Sequence, residues 1–390
     1  MKKIIALVMA ITVLSLCIML SSCSLIETGN VEIAMVTDGG SVSESSMNQA
    51  VWASVSEFAI ANEKNYNAYH PATQEHDDLV DAMMQAVVNG AKVVVCSGKI
   101  LEGALFEVQD LFPDVRFMLI DGEPRGVAST TDVIDNNKTS DADGNDETDG
   151  MLSPDAPVEQ VRISENVYCV TFREDQAGYL AGYIAVRDGY TKFGFVSESD
   201  SKSDMMYGAG FLQGIQDAAR EMGMIDRINV KFRYSGDNAM LDEHTRSIVE
   251  KWYITGTEIV LASGATCVDV IAAAEAQNGR VICTDNDHAT VSNLVVTTAM
   301  KFVDTPVKEA LTSLYNNGIK WDEAHAGKTV QLGVAEDGVG LPTKMSSWRF
   351  GNYTVDQYDA LAAKMVAGEI ALDQETDILI NHDITVDFAS

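Results

Sequence analysis

Three observations predict an α/β chain built on parallel sheets. Short apolar runs alternate with helix-like segments from Val31 onward. The helical stretches are roughly 10–15 residues, the length that joins neighbouring parallel strands by right-handed crossovers. The strand-like runs end in polar, Gly-rich residues, as expected where a parallel sheet presents its carboxyl edge. At 390 residues, the chain has room for two or three structural units.

Strands are expected at Val31–Thr37, Lys92–Cys96, Arg116–Ile120, Val167–Thr171, Phe193–Val196, Asn229–Tyr234, Glu258–Ala262, Arg280–Thr284 and Leu294–Thr298. Helices are expected at Ser46–Ala61, Glu75–Asn89, Leu101–Leu111, Asp175–Asp188, Met206–Met222, Asp242–Ile254 and Val268–Gln277. Met47, Val51, Val55 and Phe58 recur at helical spacing and give the first helix one apolar face. Asn89-Gly90 and Asn278-Gly279 read as C-terminal caps. Beyond Lys328 a strand at Thr329–Val334 and a helix at Val355–Ala367 are expected.

The N-terminus is a separate piece. Met1-Lys2-Lys3 is cationic, Ile4 to Leu20 is apolar, and Leu20-Ser21-Ser22-Cys23 follows. This is the layout of a secretory signal, and the cysteine after small residues resembles a bacterial lipobox. Removal of residues 1–22 would leave Cys23 as a lipid-bearing N-terminus, with 23–30 as a linker. A plain signal peptide or a single membrane anchor are the alternatives. No stop-transfer flank follows the run. The expected location is the extracytoplasmic face of a cell membrane.

The formal charge is −31. Without Lys2 and Lys3 the chain has 25 cationic against 58 acidic residues, a net −33. That excludes a basic footprint for nucleic acid and docking on anionic headgroups. It suits an acidic, soluble surface. Cys96, Cys169, Cys267 and Cys283 sit in or beside apolar stretches, with no C-x-x-C spacing, and are expected as buried free thiols. Between Ala128 and Glu165 no helix or strand is expected. Asp141 to Gly150 is too acidic to fold alone. A calcium loop counted from Asp141 would need Glu at its twelfth position, where Leu152 stands.

The polar strand ends carry the functional signal. They are Asp38-Gly39-Gly40, Ser97-Gly98, Asp121-Gly122, Arg173-Glu174, Ser235-Gly236, Ser263-Gly264 and Asp285-Asn286-Asp287. Glycine lets backbone N–H groups come close to a ligand, and carboxylates accept the paired hydrogen bonds of vicinal hydroxyls. One such Asp is ordinarily a cap or a turn. Three at matching places point to a ligand edge. No phosphate loop, H-E-x-x-H or G-x-S-x-G elbow is present. The glycines of Gly208-Ala209-Gly210-Phe211-Leu212-Gln213-Gly214 lie too far from the preceding strand for a dinucleotide fingerprint and read as helix-packing positions. His70, His76 and Asp77 read as solvated loop residues. A cleft with acceptors and no nucleophile-base pair describes a receptor, with no cofactor and no metal expected.

Several motifs together resemble the basic membrane lipoprotein family, also called the purine nucleoside receptor family. They are Ile33-Ala34-Met35-Val36-Thr37-Asp38-Gly39-Gly40, then Met47-Asn48-Gln49-Ala50-Val51-Trp52, and Phe172 through Tyr179-Leu180-Ala181-Gly182. Phe193-Gly194-Phe195-Val196, Gly210-Phe211-Leu212-Gln213-Gly214, Thr284-Asp285-Asn286-Asp287-His288 and Thr297-Thr298-Ala299-Met300-Lys301 continue the likeness. It covers most of Val31 to Ala310. The resemblance implies a substrate-binding lipoprotein of an ABC importer with a type I periplasmic-binding-protein fold: two Rossmann-like lobes joined by a three-crossing hinge. It also implies ligand contacts at Asp38, Asn48, Asp121, Gly264, Asp285 and Lys301, and Phe172 falls within its motifs. Two positions depart from the family. Met47 and Asn238 stand where the family has the Phe residues that sandwich the base. The implied lobes are 31–170 with 285–327, carrying the insertion 128–165, and 171–284 with 328–390. The implied partners are a nucleoside-like ligand, an ABC permease and, through the lipid, the membrane; a monomer is expected. A sugar or other metabolite receptor and an extracellular nucleoside hydrolase are the rival readings.

Overall fold

The computed structural model describes residues 31–40, 42, 46–127, 159–197, 199, 201–234, 243–372 and 383–388. Two sheets organise them. The first contains β1 (Ile33–Val36), β2 (Tyr66–Tyr69), β3 (Val93–Ser97), β4 (Arg116–Ile120), β7 (Val167–Phe172) and β13 (Lys328–Leu332), in the order β13-β7-β4-β3-β1-β2. Every pairing in it is parallel. The second contains β8 (Lys192–Ser197), β9 (Asn229–Tyr234), β10 (Ile259–Ser263), β11 (Arg280–Asp285), β12 (Val295–Lys301), β14 (Val339–Gly340) and β15 (Thr385–Phe388). Its order is β14-β12-β11-β10-β8-β9-β15, and only β14 runs antiparallel. A small hairpin of β5 (Arg125–Val127) and β6 (Glu159–Val161) stands apart.

Alternate residues of each central strand enter different cores, because side chains point to opposite faces. In the first sheet Ile33, Met35, Val93 and Val95 pack beneath α1 (Met47–Ala61) and α8 (Asp304–Asn316). Ala34, Val36, Val94 and Cys96 face α2 (His76–Val88) and α3 (Glu102–Val108). In the second sheet Phe193, Phe195 and Leu261 face α4 (Glu174–Asp188) and α5 (Lys202–Glu221). Val196, Val260 and Val281 face α6 (Glu243–Ile254) and α7 (Thr266–Gln277). Helix α9 (Val355–Val366) starts at a capping box of Thr354 and Gln357. The α/β class with parallel sheets is as expected.

The division between the sheets differs from the sequence expectation. Residues 285–327 were assigned to the first lobe, yet β12 lies beside β11 in the second sheet. Residues from 328 were assigned to the second lobe, yet β13 pairs with β7 in the first. Only from α8 does the chain rejoin the first lobe, where Ser54 Oγ donates to Asp304 Oδ1 at 2.9 Å. The polypeptide passes between the sheets after Phe172, after Lys301 and after Leu332. Strand pairing is a long-range property, and the local sequence of β12 or β13 does not name its partner.

Two further expectations are corrected. Cys267 and Cys283 form a disulfide, with Cα atoms 5.7 Å apart, while Cys96 and Cys169 are buried free thiols. The second residue of α7 and an outward residue of β11 share one core face, which brings the sulfurs together. The stretch 128–165 is also less plain than expected, since β6 closes the hairpin at its end. The Asp141–Leu152 stretch lies outside the described residues.

The glycines of α5 have the packing role read from the sequence. A Cβ on Gly210 would strike the Asp175 carbonyl oxygen, and one on Gly214 that of Tyr179. Reciprocally, Gly178 and Gly182 on α4 clear the carbonyls of Tyr207 and Phe211. The two helices therefore meet backbone to backbone. Gly210→Ala is expected to lower stability in urea denaturation by about 1–3 kcal/mol, the cost of overpacking a tight contact. An unchanged midpoint would contradict this packing.

Candidate functional site

The carboxyl edges of the two sheets face each other, and one buried ammonium joins them. Lys301 closes β12 and is 2% exposed. Its Nζ lies 2.9 and 2.8 Å from Asp121 Oδ1 and Oδ2. Glu174 Oε1 and Asp285 Oδ1 are each 3.2 Å away. Asp121 follows β4 of the first sheet; Asp285 ends β11 of the second. Both adopt left-handed backbone, at φ 68° and 66°, a conformation that Asp tolerates better than most residues. Thr284 Oγ1 donates to Asp285 Oδ2 at 2.9 Å, and Tyr207 OH lies 3.3 Å from Asp285 Oδ1.

Glu174 opens α4, where the helix N-terminus favours a carboxylate. It is 4% exposed and accepts a hydrogen bond from Ser203 Oγ at 2.8 Å. Burial pushes its carboxyl above the usual range against the pull of Lys301, and Asp121 adds to the push. Burial alone would lower Lys301. The carboxyls of Asp121, Asp285 and Glu174 outweigh that and hold it well above the usual lysine value. A cavity of about 410 Å³ opens beside this cluster, lined by Glu102, Asp121 and Phe172 from one side and Glu174, Lys202 and Ser203 from the other.

A second polar pair lies farther along the same edge of the first sheet. Asp38 Oδ1 accepts from Gly40 N at 2.8 Å and from Asn48 Nδ2 at 2.6 Å. Asn48 is 3% exposed, and its Oδ1 has no hydrogen-bond partner among the described residues. Met47 is half-buried against the core. Register explains the common edge. Val36 pairs with Cys96 and Ser97 with Ile120, so Asp38, Gly98 and Asp121 emerge side by side.

Of the residues named from the sequence, Asp121, Asp285 and Lys301 converge. Phe172 lies alongside, its ring centroid 5.8 Å from the ammonium. Asp38 and Asn48 pair with each other. Gly264 has φ 65°, but its N–H donates to Thr284 Oγ1 at 3.1 Å. Asn238 and Cys23 lie outside the described residues. From the sequence, Glu174 is named only within the polar strand end Arg173-Glu174, not as a ligand contact, and Ser203 is not named. Glu174 follows a strand end, which was a usable signal. Ser203 is the second residue of α5, which starts at Lys202, ahead of the expected Met206, with Ser201 as its cap. His76 pairs with Glu107 and His70 with Thr37. The Sγ atoms of Cys267 and Cys283 lie within 4.8 Å of a His288 nitrogen, but as a disulfide they offer no thiolate to a metal. No helix among the described residues is long and apolar enough to cross a membrane.

Residues 31–376 match the family described as ABC transporter substrate-binding protein PnrA-like. The chain belongs to that family. Among its relatives, the CD4+ T-cell-stimulating antigen of Listeria monocytogenes is 25% identical over 335 residues, 79% of each chain. Basic membrane protein B of Borreliella burgdorferi is 28% identical over 196 residues, 47% of this chain. That match spans about half of the relative, 52% of its length. A solute-binding protein of an ABC transporter system from Conexibacter woesei has a TM-score of 0.63 at 18% identity, covering 88% of this chain and 99% of that one. One from Aeropyrum pernix gives 0.63 at 18%, covering 89% and 94%. At such identity the likeness is one of fold, the type I periplasmic-binding-protein architecture.

The Lys301 cluster makes a definite forecast for this PnrA-like protein. Lys301→Met would leave three carboxyls in one buried site, at a cost of about 3–5 kcal/mol. A buried carboxyl with a raised folded-state pKa favours folding at low pH and loses that advantage as pH rises through that pKa. The deficit of Lys301→Met relative to wild type, read from denaturant midpoints, should therefore shrink on acidification. A deficit independent of pH would count against the charge cluster.

Proposed function

We propose that the protein is the extracytoplasmic solute-binding lipoprotein of an ABC importer, and that it holds a nucleoside-like molecule between its lobes, a purine nucleoside foremost. The observation that carries this reading is the convergence of Asp121 and Asp285, from facing sheet edges, on Lys301. Carboxylates brought together in this way offer acceptors to vicinal hydroxyls, and the buried ammonium holds them in place. The buried Oδ1 of Asn48 beside Asp38, without a partner among the described residues, supports it, because a base N–H or amine would satisfy that acceptor. Membership of the substrate-binding family agrees, and an ABC permease would receive the loaded protein.

Replacement of the family's two stacking Phe residues by Met47 and Asn238 weakens ring discrimination more than ribose recognition. Stacking a base on an aromatic ring contributes about 1–3 kcal/mol, and Met offers only a polarizable contact. A thermal-shift screen of nucleosides, free bases and pentoses tests the assignment. Binding at a hundredfold excess over Kd stabilises by about 2.7 kcal/mol, so nucleosides should raise the Tm and Asp285→Ala should abolish the rise. Equal shifts with free bases would remove the ribose argument. Sustained release of free base from a nucleoside would favour the hydrolase reading.

The lipid anchor has its own test. Cys23→Ala, expressed in a bacterial host, should release the protein from the membrane fraction or block its processing. Correct processing with unchanged membrane association would refute lipidation at that residue.

A further inference from the structure

One ammonium faces three carboxyl groups, and these groups are not equally buried. The Glu174 side chain is 5% exposed, against 21% for Asp121 and 26% for Asp285. Its surroundings come from both sides of the cleft. Asp121 belongs to the first sheet's edge; Ser203 and Lys301 belong to the second lobe. We propose that Glu174 is a proton-linked positioning residue of the cleft, taking up a proton as the lobes close, so that the closed, ligand-holding form is favoured as pH falls.

In the closed form, burial and the nearby Asp121 both favour the neutral carboxyl, and the shift of Glu174 is in that direction. Opening the cleft would withdraw Asp121 and admit water, and both changes favour the carboxylate. The closed form therefore binds the proton more tightly, and by linkage protons favour closure. The Ser203 hydroxyl, 2.8 Å from Oε1, serves either state, because it donates to a carboxylate and accepts from a carboxylic acid. Lys301 would then remain between Asp121 and Asp285 without a third negative partner.

The groups facing Glu174 are few enough to separate. Lys301 comes from β12, Asp121 from the end of β4, Asp285 from the end of β11 and Tyr207 from α5. Burial and Asp285 hold the Tyr207 hydroxyl far above the acid range. On the same helix Asp175 is engaged by Arg173 at 2.9 and 2.7 Å. Across the cavity lie Lys202 and Glu102. Burial also raises Glu102, which makes it the rival.

The inference rests on the reading of the cleft as the ligand site, and its test separates the two. Calorimetric titration with adenosine in buffers of different ionisation enthalpy should show proton uptake by the wild type and none by Glu174→Gln. Wild-type affinity should fall by up to about tenfold per pH unit as pH rises through the window, the limit for one linked proton, and the Glu174→Gln profile should be flat. Equal proton uptake in the two proteins overturns the proposal, as does a profile flattened by Glu102→Gln instead. Should adenosine give no heat, the ligand reading fails and ligand-free melting decides. Acidification should raise the wild-type Tm relative to Glu174→Gln, and parallel profiles overturn the proposal.

Discussion

A lysine ammonium removed from water is the constraint on which the rest of the structure depends. Burying such a charge costs several kcal/mol unless partners are supplied at close range. Here the partners come from Asp121 in one lobe and from Glu174 and Asp285 in the other. Each sheet must therefore present its carboxyl edge to the other. The left-handed turns at Asp121 and Asp285 deliver their side chains to the same atom. The chain's passages after Phe172, Lys301 and Leu332 set the lobes in that relation. The ammonium offsets part of the cluster's negative charge and ties the lobes across the space a ligand would enter.

Two tight contacts hold this cluster in register. The glycine-lined meeting of α4 and α5 fixes Glu174 relative to Ser203, one at the start of each helix. The Cys267–Cys283 disulfide fixes α7 against β11, three residues beyond Gly264 and two before Asp285. Both lie immediately behind polar groups that face the cleft. A site made of strand ends and helix starts inherits its precision from packing of this kind, because the loops carry little rigidity of their own.

The first lobe's edge is divided. Asp121 spends its charge on Lys301, whereas Asp38 is bonded to Asn48, whose amide oxygen has no partner among the described residues. The chemistry is thus an ion cluster at one end and a carboxyl–amide pair at the other. Met47, the residue before Asn48 on α1, lies at this second end.

The sequence by itself determined the α/β class, most central strands and the carboxyl edges on which Asp38, Asp121 and Asp285 lie, whereas Lys301 is implied only by the family resemblance. These follow from local alternation of apolar runs and from the rule that parallel strands end on one side. Some local signals went unread: Val307, Ala310, Leu311 and Leu314 mark α8 at helical spacing. The short β2, Tyr66–Tyr69, carried too little apolar pattern to be seen. The tertiary structure alone decided that β12 joins the second sheet and β13 the first, that Cys267 meets Cys283, and that Glu174 stands beside Lys301. The reason is distance along the chain. Lys301 and Asp121 are 180 positions apart, and nothing in the neighbourhood of either specifies the other until the sheets have formed and turned their edges together.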